Sequence, residues 1–159
     1  MKKLGRLTLK ELESKIPLIP QAILEQIKGG DVTVVYDISD SKIYIYNGGI
    51  LLSSADAANN VSDGYSPWPC GTYSMENQGA PVGSDSYSGS YGQQGGWAAN
   101  DFYDPNLCRD RTGMMIHAGR SDDYTYDTHG CIRTTSEGIA QISDAISCYG
   151  SFTSITVQP

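Results

Sequence analysis

Past residue 30 the apolar positions recur with a period of two, which predicts strands and not helices. Val32 to Ile38 alternates and is β-branched, and Lys42–Tyr46 (KIYIY) alternates cleanly. Asn47-Gly48-Gly49 supplies a turn into Ile50–Ser54, so a hairpin is expected there. Pro67–Met75 (PWPCGTYSM) reads as an edge strand or one started by proline. Gly113–His117 (GMMIH) reads as a short buried strand, and Ser154–Val157 as the last one. The period changes once in this region. Thr134-Thr135-Ser136-Glu137 offers a capping box, Ile139, Ile142 and Ile146 then recur at helical spacing, and Gly150 ends the helix. Gly79 to Gly96, rich in Gly, Ser and Tyr and almost without aliphatic residues, cannot build core and is expected to be a mobile loop or flap.

The first thirty residues follow another pattern. They contain no aromatic residue, end in Gly29-Gly30, and are split by Pro17 and Pro20 into two short helical pieces, QAILEQI being the second. Ile19, Leu24 and Ile27 form an apolar stripe, with no uninterrupted apolar core of the kind a Sec-type signal needs. The segment resembles the double-glycine leaders that peptidase-containing ABC transporters cut after Gly-Gly. That resemblance implies export through such a transporter, a mature domain of residues 31–159 and a periplasmic or extracellular location. A plain N-terminal arm with a Gly-Gly linker is the alternative.

Composition narrows the class. The chain has 159 residues, room for one domain, with 11 Tyr against 2 Phe and 18 Gly. That balance fits a β-rich fold with many turns. No apolar run is long enough to span a membrane. Of 11 basic and 18 acidic residues, six and three lie in the first thirty, leaving five basic and fifteen acidic in the rest. The body therefore has no general basic field for nucleic acid or anionic lipid. Four of its five basic residues, Arg109, Arg111, Arg120 and Arg133, are nevertheless close in sequence. They read either as a solvated run or as a local patch for anions, since guanidinium forks match carboxylates.

Both histidines lie within fourteen residues of one cysteine, in the segment GMMIHAGRSDDYTYDTHGCIRTTSEG. A thiol needs a nearby base or an electropositive setting to ionise near neutral pH. Cys131 ahead of a helix, with His117 at a strand end, meets that need. Gly130 leaves backbone N–H groups open to a developing oxyanion. Zinc held by His117, His129 and Cys131 is the rival reading, although the paired C-x-x-C spacing of structural sites is missing.

The segment resembles the catalytic motif of the L,D-transpeptidase (YkuD-like) family, in which a His ends a strand and Ser/Thr-His-Gly-Cys-hydrophobic-Arg/Asn follows a loop. Here those positions are His117 and Thr128-His129-Gly130-Cys131-Ile132-Arg133. VVYDISDSKIYIYNGG resembles the family's opening hairpin and PWPCGTY its next strand. The resemblance implies a mainly β sandwich or barrel-like sheet with one packed helix after the cysteine, and no cofactor or metal. Cys131 would be the nucleophile, His117 its base, and the Gly130–Cys131 backbone the oxyanion site. Arg133, Thr128, His129 and Arg120 would bind substrate or shape the site. The implied partner is a peptidoglycan stem peptide, and the outcome transpeptidation or carboxypeptidation. Two alternatives stay open: an exported toxin acting on a competitor's wall, and a wall-binding module without turnover. The sequence departs from the family in an acidic loop (Asp122, Asp123, Asp127) and in Ala118 beside the base. Of the remaining cysteines, Cys70 and Cys108 are the preferred pair should a disulfide form, with Cys148 on the helix.

Overall fold

The alternating runs at the start of the body pair with each other. In the computed structural model, which describes residues 30–83, 91–119 and 123–159, β1 (Val32–Asp37) lies antiparallel to β2 (Lys42–Asn47), from Val32 opposite Asn47 to Asp37 opposite Lys42. The pleat sends Val32, Val34, Tyr36, Ile43 and Ile45 to one buried face. Gly48 and Gly49 form the two-residue turn, with φ of 54° and 83°. Two consecutive positive φ values are the backbone a tight, right-twisted hairpin requires, and glycine reaches them without steric cost.

The third strand, β3 (Ile50–Ala58), is longer than its alternation suggests, because Ala57 and Ala58 pair with residues far along the chain. Then come β4 (Gly71–Ser74), β5 (Gly96–Ala98), the separate hairpin β6 (Phe102–Asp104) and β7 (Arg109–Arg111), β8 (Met115–His117), β9 (Ile132–Thr134), helix α1 (Ser136–Tyr149) and β10 (Phe152–Gln158). Eight strands join in the order β4-β10-β1-β2-β3-β9-β8-β5. The sheet curls into a half-barrel, and the fold is mainly β with one packed helix, as the resemblance implied. Two pairings are parallel, β1 with β10 and β8 with β9. The proline-started segment occupies the edge as β4, with Pro67 and Pro69 outside its ladder, where a missing N–H breaks no sheet bond.

Helix α1 packs across β1, β2, β3 and β9 with Ile139, Ile142 and Ala145 buried. Each such isoleucine stabilises the fold by about 1.5–3 kcal/mol. The expected capping box is displaced by one residue. Thr135 is the N-cap, its hydroxyl accepting from the Gly138 N–H at 3.0 Å, so Glu137 is not the third helical residue that closes such a box. Thr134 belongs to β9, and its hydroxyl donates to the Asp56 carbonyl at 2.8 Å.

The Gly/Ser/Tyr-rich stretch is a second departure. Residues 84–90 of the expected flap lie outside the described residues, as do 1–29 and 120–122, but both flanks are pinned. Val82 and Gly96 exchange backbone hydrogen bonds at 2.8 and 3.0 Å, and the Trp97 indole N–H donates to the Gly79 carbonyl at 2.9 Å. Gly92, Gly95 and Gly96 are buried, so part of the stretch does contribute to the interior. The preferred disulfide is absent. All four cysteines are free, and the Cys108 thiol turns back over its own tight turn toward the Pro105 carbonyl at 3.6 Å. Among the described residues no helix is long and apolar enough to cross a membrane.

Candidate active site

Parallel pairing of β8 and β9 is what assembles the site. Ile116 sits opposite Ile132 and His117 opposite Arg133. Side chains alternate across a strand, so Ile116 and Ile132 enter the core while His117 and Arg133 share the other face. Cys131 immediately precedes Ile132 and therefore falls on the face of His117. Two residues fourteen apart in sequence thus come to one face of neighbouring strands.

The thiol is half-buried, and its hydrogen bond runs to the Gly113 carbonyl at 3.9 Å. Burial pushes the Cys131 thiol above its ordinary range, while the Met115 N–H and the Arg111 cation act in the opposite direction. His117 is 4% exposed, and its Nδ1 is buried with no hydrogen-bond partner. Desolvation chiefly, and then the nearby Arg133 cation, push its pKa down to about 4. Both groups are therefore neutral at pH 7. The two are a thiol and an unprotonated base on one face of the sheet, not a pre-formed ion pair.

The backbone around the thiol is tied down by Asn59, from outside the motif, and by Thr128, from within it. Asn59 Nδ2 donates to the carbonyls of Gly130 (2.7 Å) and Cys131 (2.8 Å), and its Oδ1 accepts from the Trp68 N–H. Thr128 Oγ1 accepts from the Gly130 N–H at 3.0 Å and lies 2.9 Å from the Cys131 carbonyl. The Gly130 N–H is thereby engaged, and the Cys131 N–H lies just ahead of the β9 ladder.

The remaining expected site residues are distributed around this centre. Arg133 is buried, donates from Nε to the Ala118 carbonyl at 3.0 Å and lies 5.4 Å from the centroid of the Tyr126 ring. Its visible work is to brace the turn after β8. His129 is exposed and stacks flat on Tyr65, with centroids 3.9 Å apart. Arg120 lies outside the described residues. The zinc alternative finds no converging set of three His, Cys, Asp or Glu side chains among the described residues. The arginine patch is divided too: Arg109 is exposed, whereas Arg111 and Arg133 are buried.

Several residues at the site carried no periodic or motif signal. Tyr91, at the end of the glycine-rich stretch, sets its ring edge-on to His117 with centroids 5.0 Å apart. Asn59, Tyr65 and Tyr126 reach the site from loops. Gly119 did carry a faint signal, a glycine two residues after the candidate base. A Cβ there would lie 1.6 Å from Arg133 Nη2, so only glycine leaves room for the guanidinium.

Comparison with known proteins gives this geometry a family. The model of the L,D-transpeptidase catalytic domain (YkuD) matches residues 31–152, a span that includes His117 and Cys131. The chain belongs to the L,D-transpeptidase catalytic domain family. Among solved structures it is similar to Bdellovibrio bacteriovorus Bd1075, with 16% identity and a TM-score of 0.62 over 84% of this chain and 51% of that one. It is also similar to the helical cell shape determining protein Pgp2 from Campylobacter jejuni (15% identity, TM-score 0.56, 84% of this chain and 50% of that one). An L,D-transpeptidase from Mycobacterium tuberculosis matches at 20% identity and a TM-score of 0.50, over 82% and 59%. At these identities the likeness is one of fold, and the chain spans 50–59% of those three proteins. No curated protein sequence matches it.

Proposed function

We propose that this transpeptidase-family domain is a cysteine acyltransferase acting on peptidoglycan stem peptides. The observation that carries this reading is the placement of Cys131 and a neutral His117 on one face of paired strands, inside the span matched by the family model. His117 takes the thiol proton as Cys131 Sγ attacks the carbonyl carbon of the third stem residue. A C–S bond forms, the C–N bond to the terminal D-alanine breaks, and the imidazolium returns the proton to the departing amine. In this reading the Cys131 N–H donates to the oxyanion. A neighbouring stem's amine then resolves the thioester in transpeptidation, or water does in carboxypeptidation; the acceptor pocket decides between them. Arg133 acts by bracing the turn beside His117, Thr128 by holding Gly130, and His129 with Tyr65 by forming an exposed rim. Incubation with disaccharide-tetrapeptide followed by mass spectrometry tests the proposal. Wild type should give crosslinked dimers or lose one alanine, and Cys131→Ala should give neither. Identical products from the two proteins would reject the thioester.

We further propose that residues 1–30 are a double-glycine leader, cut after Gly30 by a peptidase-containing ABC exporter, with residues 31–159 as the exported domain. The Gly29-Gly30 pair supports this, as does the family match beginning at residue 31. N-terminal sequencing of protein recovered outside the producing cell should begin at Asp31; recovery of chains starting at Met1 would count against the leader.

A further inference from the structure

Arg111 is the buried cation that this mechanism does not use. It is 6% exposed and donates from Nη1 to Asp104 Oδ2 at 3.0 Å, the aspartate being 1% exposed. A buried ion pair is weak evidence for stability in itself, because desolvating two charges offsets their attraction. This pair is also oriented. Asp104 Oδ1 accepts from the Asn106 N–H at 2.9 Å, tying it to the β6–β7 turn. Arg111 Nη2 donates to the Ser66 carbonyl at 2.9 Å and lies 3.2 Å from Met114 Sδ. Past those partners the guanidinium meets the residue before the nucleophile. A Cβ at Gly130 would lie 2.1 Å from Arg111 Nη2, with the Ser66 carbonyl oxygen and Met114 Cε each at 3.0 Å. The backbone of Gly130 is therefore seated directly on the guanidinium.

We propose that Arg111, held by Asp104, is a positioning residue for the acyl-transfer centre: it seats the Gly130–Cys131 backbone and supplies a fixed positive charge that favours the thiolate and the oxyanion. This rests on Cys131 being the nucleophile. The charged and titratable groups around the thiol come from four strands and one loop. They are Asp104 and Arg111 from β6 and β7, His117 from β8, Arg133 from β9 and the adjacent His129. The two buried arginines act on different partners. Arg133 adds to the burial that keeps the imidazole neutral, whereas Arg111 opposes the burial that resists thiol ionisation. His117 is neutral until it takes the proton, so Arg111 is the positive charge on the thiol that is present beforehand.

Peptide-resolved alkylation of Cys131 by iodoacetamide, followed against pH in the full chain, tests the assignment without relying on turnover. Arg111→Met should raise the thiol pKa and slow alkylation at neutral pH, by about tenfold. Arg111→Lys keeps the charge without the planar fork and should recover most of that loss. Asp104→Asn removes the opposing negative charge, so alkylation should be as fast as in wild type or faster. A folded Arg111→Met with the wild-type pH profile would overturn the proposal. So would Asp104→Asn slowing alkylation as Arg111→Met does, since equal losses mean general loosening. Should Arg111→Met fail to fold by circular dichroism, Arg111→Gln, which keeps a planar hydrogen-bonding end without the charge, takes its place: slowed alkylation beside a near wild-type Arg111→Lys supports the assignment, and a wild-type rate rejects it. Alkylation reads the electrostatics of the thiol whatever the substrate. A muropeptide assay without product, beside the expected alkylation pattern, would reject the stem-peptide reading and leave this one standing.

Discussion

His117→Ala is expected to slow acylation of Cys131 by stem peptides roughly 10²–10⁴-fold, the range for loss of a positioned general base. The size follows from the state of the pair. With the thiol above its ordinary pKa and the imidazole at about 4, little thiolate is present at pH 7, so attack depends on proton removal during the step. The same residue carries an acid-sensitive share of stability. Its folded pKa lies below the unfolded value near 6.5, so the unfolded chain binds the extra proton between those limits. Stability from His117 is complete above pH 6.5, falls as pH drops toward 4, and is lost by roughly 3 kcal/mol in all. Denaturant titrations across that window should show a steeper fall for wild type than for His117→Ala. Parallel curves, or single-turnover acylation within a few-fold of wild type, would show that His117 is not a buried neutral base.

Gly119→Ala is expected to destabilise the domain by about 2–4 kcal/mol, which for a chain of this size lowers the melting temperature by about 5–15 °C. Two costs add. At φ 149° the backbone is one that L residues rarely adopt. The new methyl also falls on Arg133, 1.6 Å from Nη2 and 2.5 Å from Cζ, with the Nε–Ala118 bond holding that side chain in place. A guanidinium that is 8% exposed cannot step aside without giving up a charge-assisted hydrogen bond, worth about 1.5–3 kcal/mol. Displacing it also removes a cation that depresses the His117 pKa, so the acid limb of the rate profile should move to higher pH. Thermal melts and a pH–rate profile check both parts. A melting temperature and acid limb equal to those of wild type would mean that Arg133 is not seated as described.

Much of this molecule was legible in order along the chain. Alternation in residues 32–46, the Gly48-Gly49 turn and the late helix are local statements, and each reappears in the structure. Misreadings came where long-range pairing overrides local pattern. Thr134, read as opening a capping box, is held in β9 by pairing with Ala57, which leaves Thr135 to cap the helix. β5, β6 and β7 are three residues each, too short for periodicity to register.

The sequence by itself determined the fold class, the resemblance to the transpeptidase family and the pair of residues proposed for the chemistry. Repeat period, turn chemistry and motif order depend only on neighbours in the chain. Only the tertiary structure decided the protonation states and the supporting cast. Arg111 is indistinguishable in sequence from the exposed Arg109, and the motif that marks Arg133 does not say what it touches; burial against Asp104 sets Arg111 under Gly130, and the parallel register sets Arg133 beside His117. Desolvation and the distances between charges arise from segments far apart in the chain, and these tune the thiol and the imidazole.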